Sequence, residues 1–194
     1  MSTSTTREKA KADRRSALLH AAAALFAERG FERVSLEDLG AAVGISGPAV
    51  YRHFASKQAV LAALLIDVSR ELVAGADTVI RSSADPSSAL VSLIAFHVDF
   101  AISNPDVIVV QDRDLGSLQP DDRDLVRSLQ RGYIEVWVGV LADTHPATPI
   151  AVLRIRVRAT FGLINSTPHS ARTSPRASVR ALLESMAQAA LTSE

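Results

Sequence analysis

The chain has 194 residues, 47% of them hydrophobic, a mean hydropathy of +0.16 and a formal net charge of zero. That is enough apolar material for a small module plus one further domain with its own core, and it excludes wholesale disorder. Zero cysteines exclude disulfides, Cys-bound metal and Cys nucleophiles.

The pattern suggests no apolar run of the roughly 18–20 residues that a membrane span needs. The polar start MSTSTTREKAKADRR lacks the apolar stretch of a secretory signal. A soluble, cytoplasmic protein without membrane contact is therefore expected. The zero net charge conceals an asymmetry. Residues 1–60 carry nine Lys and Arg against six Asp and Glu, and the remainder carries twelve against fifteen. All three lysines (Lys9, Lys11, Lys57) lie in the basic part. This is the direction expected if only the N-terminal part meets phosphates.

Residues 1–9 read as a Ser/Thr-rich arm. A first helix is predicted from Lys11 to Arg29, with Ala17, Leu18, Ala21, Ala22, Leu25 and Phe26 on one stripe and Gly30 as its stop. Ser35 caps a short second helix, SLEDLGAAVG, whose first turn holds Glu37 and Asp38. Gly44 makes a tight turn with Ile45 as its apolar plug. A third helix runs from Ser46, read as an N-cap, to about Phe54, with Pro48 in the first turn, where a missing N–H costs little. Val50 and Phe54 share its inner face, and Tyr51, Arg52 and His53 cover the others. Such a surface suits insertion into a major groove.

Ser56 caps a fourth helix to about Gly75, with Val60, Leu61, Leu64, Leu65, Val68 and Leu72 inward. The stretch Arg81–Ser88 has loop composition. Further helices are predicted at Ser87–Ser103, from there past Asn104-Pro105 to about Leu115, at Asp121–Ala142, at Ile150–Ser166 and at Ser174–Leu191, with breaks at Gly116–Asp122 and Thr144–Pro149. Leu125, Leu129, Val136 and Val140 are read as the inner side of the long Asp121–Ala142 helix. The segment RIRVR (Arg154–Arg158) alternates like a strand, but flanking Val152, Ile155, Ala159 and Leu163 keep helical spacing. Helix is the reading taken, which makes the fold all-α with about nine helices.

The segment Leu18–Leu65, containing LFAERGFERVSLEDLGAAVGISGPAVYRHFASKQAVL, closely resembles the N-terminal domain of TetR-family transcriptional regulators. The resemblance implies a helix-turn-helix domain over residues 10–56, a linking helix over 56–75 and a ligand-binding and dimerisation domain over 76–194. It also implies a homodimer on a palindromic double-stranded operator, a small-molecule effector, no catalytic or metal site, and a place at the bacterial nucleoid. By position, Tyr51 and His53 match neutral donors to DNA phosphates, Lys57 a phosphate-binding point charge, and Ser35 a hydroxyl whose helix N-terminus approaches the backbone. Ser46, Gly47, Pro48 and Arg52 fall where bases are read. Arg52 suits guanine, whose two acceptors match its fork, and Pro48 suits a thymine methyl. Tyr51 has packing of the small domain as its alternative role.

The second half has no shared motif. His97 lies on an apolar stripe with Leu90, Leu93, Ile94 and Ala101, as either a ligand-facing or a hydrogen-bonded core histidine. Phe96, Phe100, Tyr133, Trp137 and Phe161 line an apolar cavity or form ordinary core. Gln111 and Arg113 sit in QDRDL, read as a solvated, ion-paired face or as a ligand contact. Arg154 and Arg158 share a face and would meet acidic groups across a dimer or an anionic ligand such as a coenzyme A ester. The stretches NPDVIVVQDRDLGSL and GYIEVWVGVL are similar to those of actinobacterial TetR-like regulators of acyl-CoA catabolism, and eighteen of the 21 basic residues are Arg.

The leading expectation is a ligand-released dimeric repressor that senses an acyl-CoA or fatty-acid-like metabolite. A repressor sensing a bulky hydrophobic drug is the alternative within that class. An enzyme finds no support: there is no nucleophile elbow or phosphate loop, and His20, His53, His97, His145 and His169 are scattered. A helical interaction protein without DNA binding sits poorly with the Ser35, Ser46, Tyr51 and Lys57 set.

Overall fold

The computed structural model describes residues 2–171 and 173–193, with side chains from Arg7 onward. The described residues form ten α-helices and no strand: α1 Ser2–Arg29, α2 Leu36–Ala42, α3 Gly47–Val50, α4 Lys57–Ser82, α5 Pro86–Ser103, α6 Pro105–Asp114, α7 Pro120–Thr144, α8 Ile150–Ile164, α9 Thr167–Ser170 and α10 Arg176–Thr192. The nine expected helices are present, RIRVR lies inside α8, and the one-turn α9 is the addition.

Several bounds differ from the sequence reading, each for a local reason. The expected N-terminal arm is the start of α1, because nothing before Gly30 breaks a helix and the REKAKADRRSALL run is rich in strong helix formers. α3 is one turn rather than two. Beyond it the backbone tightens to i+3 bonds, Arg52 N–H to Ala49 O at 3.3 Å and His53 N–H to Val50 O at 2.8 Å.

α4 passes straight through Gly75, which is no stop. A Cβ there would collide with the Phe96 ring on α5, so the glycine is a notch that lets two helices cross closely. On α7 the buried set is Val126, Tyr133, Trp137, Val138, Val140 and Leu141, while Leu125 is 38% exposed. The inner face is thus rotated from the expected one. α5 corrects the membrane reading, since its 18 residues have a mean hydropathy of 1.4, apolar and long enough to cross a bilayer by composition. In this fold it is a core helix packed on α4, α7 and α10, with Ala89, Leu90, Leu93, Ile94, Val98 and Ala101 buried.

Two apolar cores result. The first joins α1, α2, Val50, Phe54 and the early part of α4 with Val107 and Val110 of α6, Leu118, and Val126 of α7. The second gathers α5, α7, α8 and α10 around Trp137, and takes Ile108 from α6. α6 therefore has a side chain in each core. Its ten residues connect them.

Candidate functional site

The helix-turn-helix is built by short-range chemistry. Ser35 caps α2 in a reciprocal box: its Oγ accepts from Asp38 N–H at 3.1 Å, and the Asp38 carboxylate accepts from Ser35 N–H at 2.8 Å and Ser35 Oγ–H at 2.6 Å. These bonds hold the Asp38 carboxyl below its ordinary range. They also occupy the Ser35 hydroxyl, so its expected role passes to the helix end it caps. Gly44 takes φ 69° at the turn. Gly40 is the glycine the sequence reading overlooked. A Cβ there would sit 2.8 Å from Ile45 O and 3.0 Å from Val50 Cγ2, so only glycine lets α3 rest on α2.

Ser46 precedes α3 with extended backbone but makes no side-chain capping bond, contrary to expectation. The residue is exposed. Val50 (0% exposed) and Phe54 (5%) anchor the helix. Tyr51 is 55% exposed, which removes packing as its main role. Arg52, Ser46 and Pro48 are exposed beside it, and Gly47 and His53 are half-buried.

Lys57 departs most from its expected role. Its Nζ donates to Phe31 O at 2.8 Å and Glu32 O at 3.0 Å and lies 4.4 Å from the centre of the Phe31 ring. Two of its three N–H groups thus close the loop before α2, leaving one for an anion. Ser35, Tyr51, Ser56 and Lys57 border one shallow groove of about 430 Å³. The pKa of His53 is lowered, first by burial and then by the charges of Lys11, Arg52 and Arg14, all of which disfavour the charged ring. Lys11, counted in the sequence only as part of the basic segment, and Arg14 of α1 thus act on the same ring. Their signal was spacing, since i and i+3 on one helix share a face.

The second site is a buried aromatic cage. His97, 2% exposed, stacks on Phe161 at 4.5 Å and Phe100 at 6.0 Å, and meets Trp137 edge-on at 6.0 Å. Its Nδ1 lies 3.2 Å from Tyr133 Oη. Burial pushes the His97 pKa down to about 4, an effect the Asn165 amide partly offsets, and burial raises that of Tyr133. Beside the cage lies a cavity of about 50 Å³ that also touches Gln111, Gln130, Asn165 and Ser69. Open ligand pockets are commonly ~300–1,000 Å³, so the site is closed here. Gln130 and Asn165 are additions, because polar residues on a helix and at a helix end look like surface in a sequence.

Four expected ligand contacts lie elsewhere. Phe96 is seated against Gly75. Arg113 donates to Ala27 O at 3.2 Å and to Phe26 O, and its Nε and second nitrogen grip the Asp114 carboxylate at 3.0 and 2.9 Å. It therefore clasps the C-terminal carbonyls of α1, where the helix dipole favours a cation. Arg154 and Arg158 are on α8 away from the cavity, with Arg154 paired in two bonds of 2.6 and 2.8 Å to Glu135 on α7. The same two-helix region carries exposed Ile150, Val152 and Ile155 of α8 and Leu182 and Met186 of α10, the helix packed on it. No cluster of His, Asp and Glu able to hold a metal occurs among the described residues.

A short capped helix pair with an exposed reading face, carried on a helical domain with a buried cage, defines a helix-turn-helix regulator. Residues 18–64 match the family model of bacterial regulatory proteins of the tetR family, and residues 83–193 match a tetracyclin repressor-like C-terminal domain. The chain belongs to the TetR family, whose members are regulators and not enzymes. Among its relatives, the HTH-type transcriptional repressor KstR2 of Rhodococcus jostii is 27% identical over 132 residues, 68% of this chain and 65% of that protein. The matched region thus spans just under two thirds of that relative's length. A TetR-family regulator from Bordetella parapertussis has a similar structure, with a TM-score of 0.82 and 26% identity over 92% of this chain and 94% of that one. FadR of Bacillus subtilis, solved with stearoyl-CoA, shares the fold at a TM-score of 0.75 and 15% identity, over 92% of this chain and 98% of that one.

Proposed function

We propose that the chain is a dimeric, ligand-released repressor acting on a palindromic operator at the nucleoid in the cytoplasm, with an acyl-CoA or fatty-acid-like metabolite as effector. The observation that carries the reading is the position of α6. Gln111 on this helix borders the cage cavity, and two residues later Arg113 clasps the end of α1, the first helix of the reading module. A ligand entering the cage must displace side chains; α4, whose Ser69 and Leu72 also line the cavity, runs from there into the helix-turn-helix, and α6 adds a second route through the Arg113 clasp. Two recognition helices in one dimer must match half-sites about 34–36 Å apart, so a shift of a few ångströms lowers affinity.

DNA contact is assigned to Tyr51, His53 and the free N–H of Lys57 on phosphates and to Arg52 on a base, with Ser46, Gly47 and Pro48 at the groove floor. Lys11 and Arg14 add charge. The exposed apolar face of α8 and α10 is assigned to the second subunit, which would bury Ile155 (67% exposed) and Leu182 (60%). The repressor reading draws on KstR2, and the acyl-CoA reading on the FadR complex.

Gel-shift titration of the full chain with a palindromic fragment from its own promoter region is the test. Binding at physiological salt that a fatty acyl-CoA reverses is expected. Binding that no acyl-CoA or fatty acid alters rejects this effector class.

A further inference from the structure

The lining of the cage carries more chemistry than a core requires. Gln130 Nε2 is buried without a hydrogen-bond partner. His97 Nε2 and Asn165 Oδ1 border the same cavity and are buried without a well-formed bond, although the Asn165 amide lies close enough to His97 to act on its titration. Trp137 Nε1, in the adjoining aromatic cluster, makes no well-formed bond either, with the Tyr133 hydroxyl as its near neighbour. Buried polar atoms left unpaired are costly, so several around one cavity indicate a site that is completed by something else.

The tautomer of His97 sets the polarity. The Tyr133 hydroxyl pairs with His97 Nδ1 at 3.2 Å and has the Trp137 indole N–H, which can only donate, as its other polar neighbour. The phenol is the natural donor in that pair, which leaves the imidazole proton on Nε2, directed at the unpartnered side. The cavity then offers N–H donors from His97 and Gln130 and an acceptor from Asn165. Its lining includes no carboxylate, lysine or arginine. The arginines that could have neutralised an anion are committed elsewhere, Arg113 to α1 and Arg154 to Glu135.

We infer that the cage selects an uncharged carbonyl group on an apolar body, as in an ester, thioester or ketone, and rejects the free carboxylate. This rests on the ligand-release reading and deepens it, because it separates the two effector forms proposed above: the acyl thioester fits and the fatty acid does not. A carbonyl oxygen has two lone pairs, one for His97 Nε2–H and one for Gln130 N–H, while its substituent displaces aromatic side chains that already tolerate an apolar neighbour. A carboxylate would bring a charge into a place with no counter-charge. The nucleotide of a coenzyme A ester would stay outside the cage.

Trp137 is the sole tryptophan of the chain and lies in the cage, so its fluorescence reports occupancy. The full-length protein is titrated with methyl dodecanoate, dodecanoate, dodecylamine and dodecane, each below its aggregation limit. Methyl dodecanoate should bind at least tenfold more tightly than dodecanoate, dodecylamine or dodecane. Gln130→Leu should remove most of its advantage over dodecane while leaving dodecane binding and the melting temperature near wild type. Dodecanoate binding as well as the ester, or the ester no better than dodecane, overturns the inference. Silence of all four probes overturns it as well, and assigns the unpaired atoms to buried water. Gel shifts with the same compounds separate this from the reading beneath it. Release of DNA by dodecanoate as readily as by the ester keeps the repressor and sinks the cage selectivity. Ester-selective fluorescence without release does the reverse.

Discussion

The reading face and the cage solve opposite problems with the same kind of helix. The face is exposed and polar, and its shape comes from contacts within the single stretch Phe31–Lys57: the Ser35–Asp38 box, Gly40 under Val50, Lys57 over Phe31. The cage is buried and assembled from α5, α7 and α8, residues far apart in sequence. Substitutions on the face should therefore change binding more than folding, and substitutions in the cage should change folding first. That contrast can be broken.

The largest effect expected is that of Trp137→Ala. The side chain is fully buried against the rings of His97, Tyr133 and Phe161, and its removal should cost about 3–5 kcal/mol in chemical denaturation. A loss under ~1 kcal/mol would mean that the cage is not part of the core.

Acidification comes next. The folded pKa of His97 lies near 4, below the unfolded value of 6.5, so the folded state resists its protonation. The stability this provides is present above pH 6.5 and is lost as pH falls toward 4, on the order of 3 kcal/mol in all. His97→Gln should flatten that part of the stability profile, and an unchanged slope would reject the assignment.

Arg52→Ala should weaken operator binding by about 1–3 kcal/mol and relax the preference at one base, with stability unchanged within ~0.5 kcal/mol. Lys57→Ala sharpens the comparison, because it should lower both the melting temperature and DNA affinity. If Lys57→Ala affected only DNA binding, its bonds to Phe31 O and Glu32 O would carry no weight.

The smallest effect belongs to Arg113→Ala. It should change the effector-induced loss of DNA affinity by about 0.5–2 kcal/mol, while fluorescence binding at Trp137 stays the same. Equal release in variant and wild type would remove α6 as the coupling element.

How much of this could be read beforehand follows from the same contrast. The helix-turn-helix was legible because its signals are local: a cap, a glycine turn and an alternating inner face within about forty residues. Even there, Ser46 and Lys57 were assigned by type, and only their partners showed that one does not cap and the other fastens a loop. The helical half was legible as helices but not as a site. Phe96 and Phe161 look alike in a sequence, yet one fills the notch at Gly75 and the other stacks on His97. Gln130 and Asn165 carry no mark of burial, since their environment is made by helices that arrive from elsewhere. Arg113 and Arg154 misled for a related reason: their chemistry suits an anionic ligand, but the fold gives them carboxylates and carbonyls of the chain itself.

The mixed first core has a consequence for recombination among such proteins. Phe26, Leu18 and Leu61 are covered partly by Val107, Val110, Leu118 and Val126. A reading head transplanted at the end of α4 would arrive with that patch mismatched to its new host. Chimeras that carry a new DNA specificity should work best when these four positions travel with the head. Sequence distance, in other words, is a poor guide to where this protein can be cut and spliced.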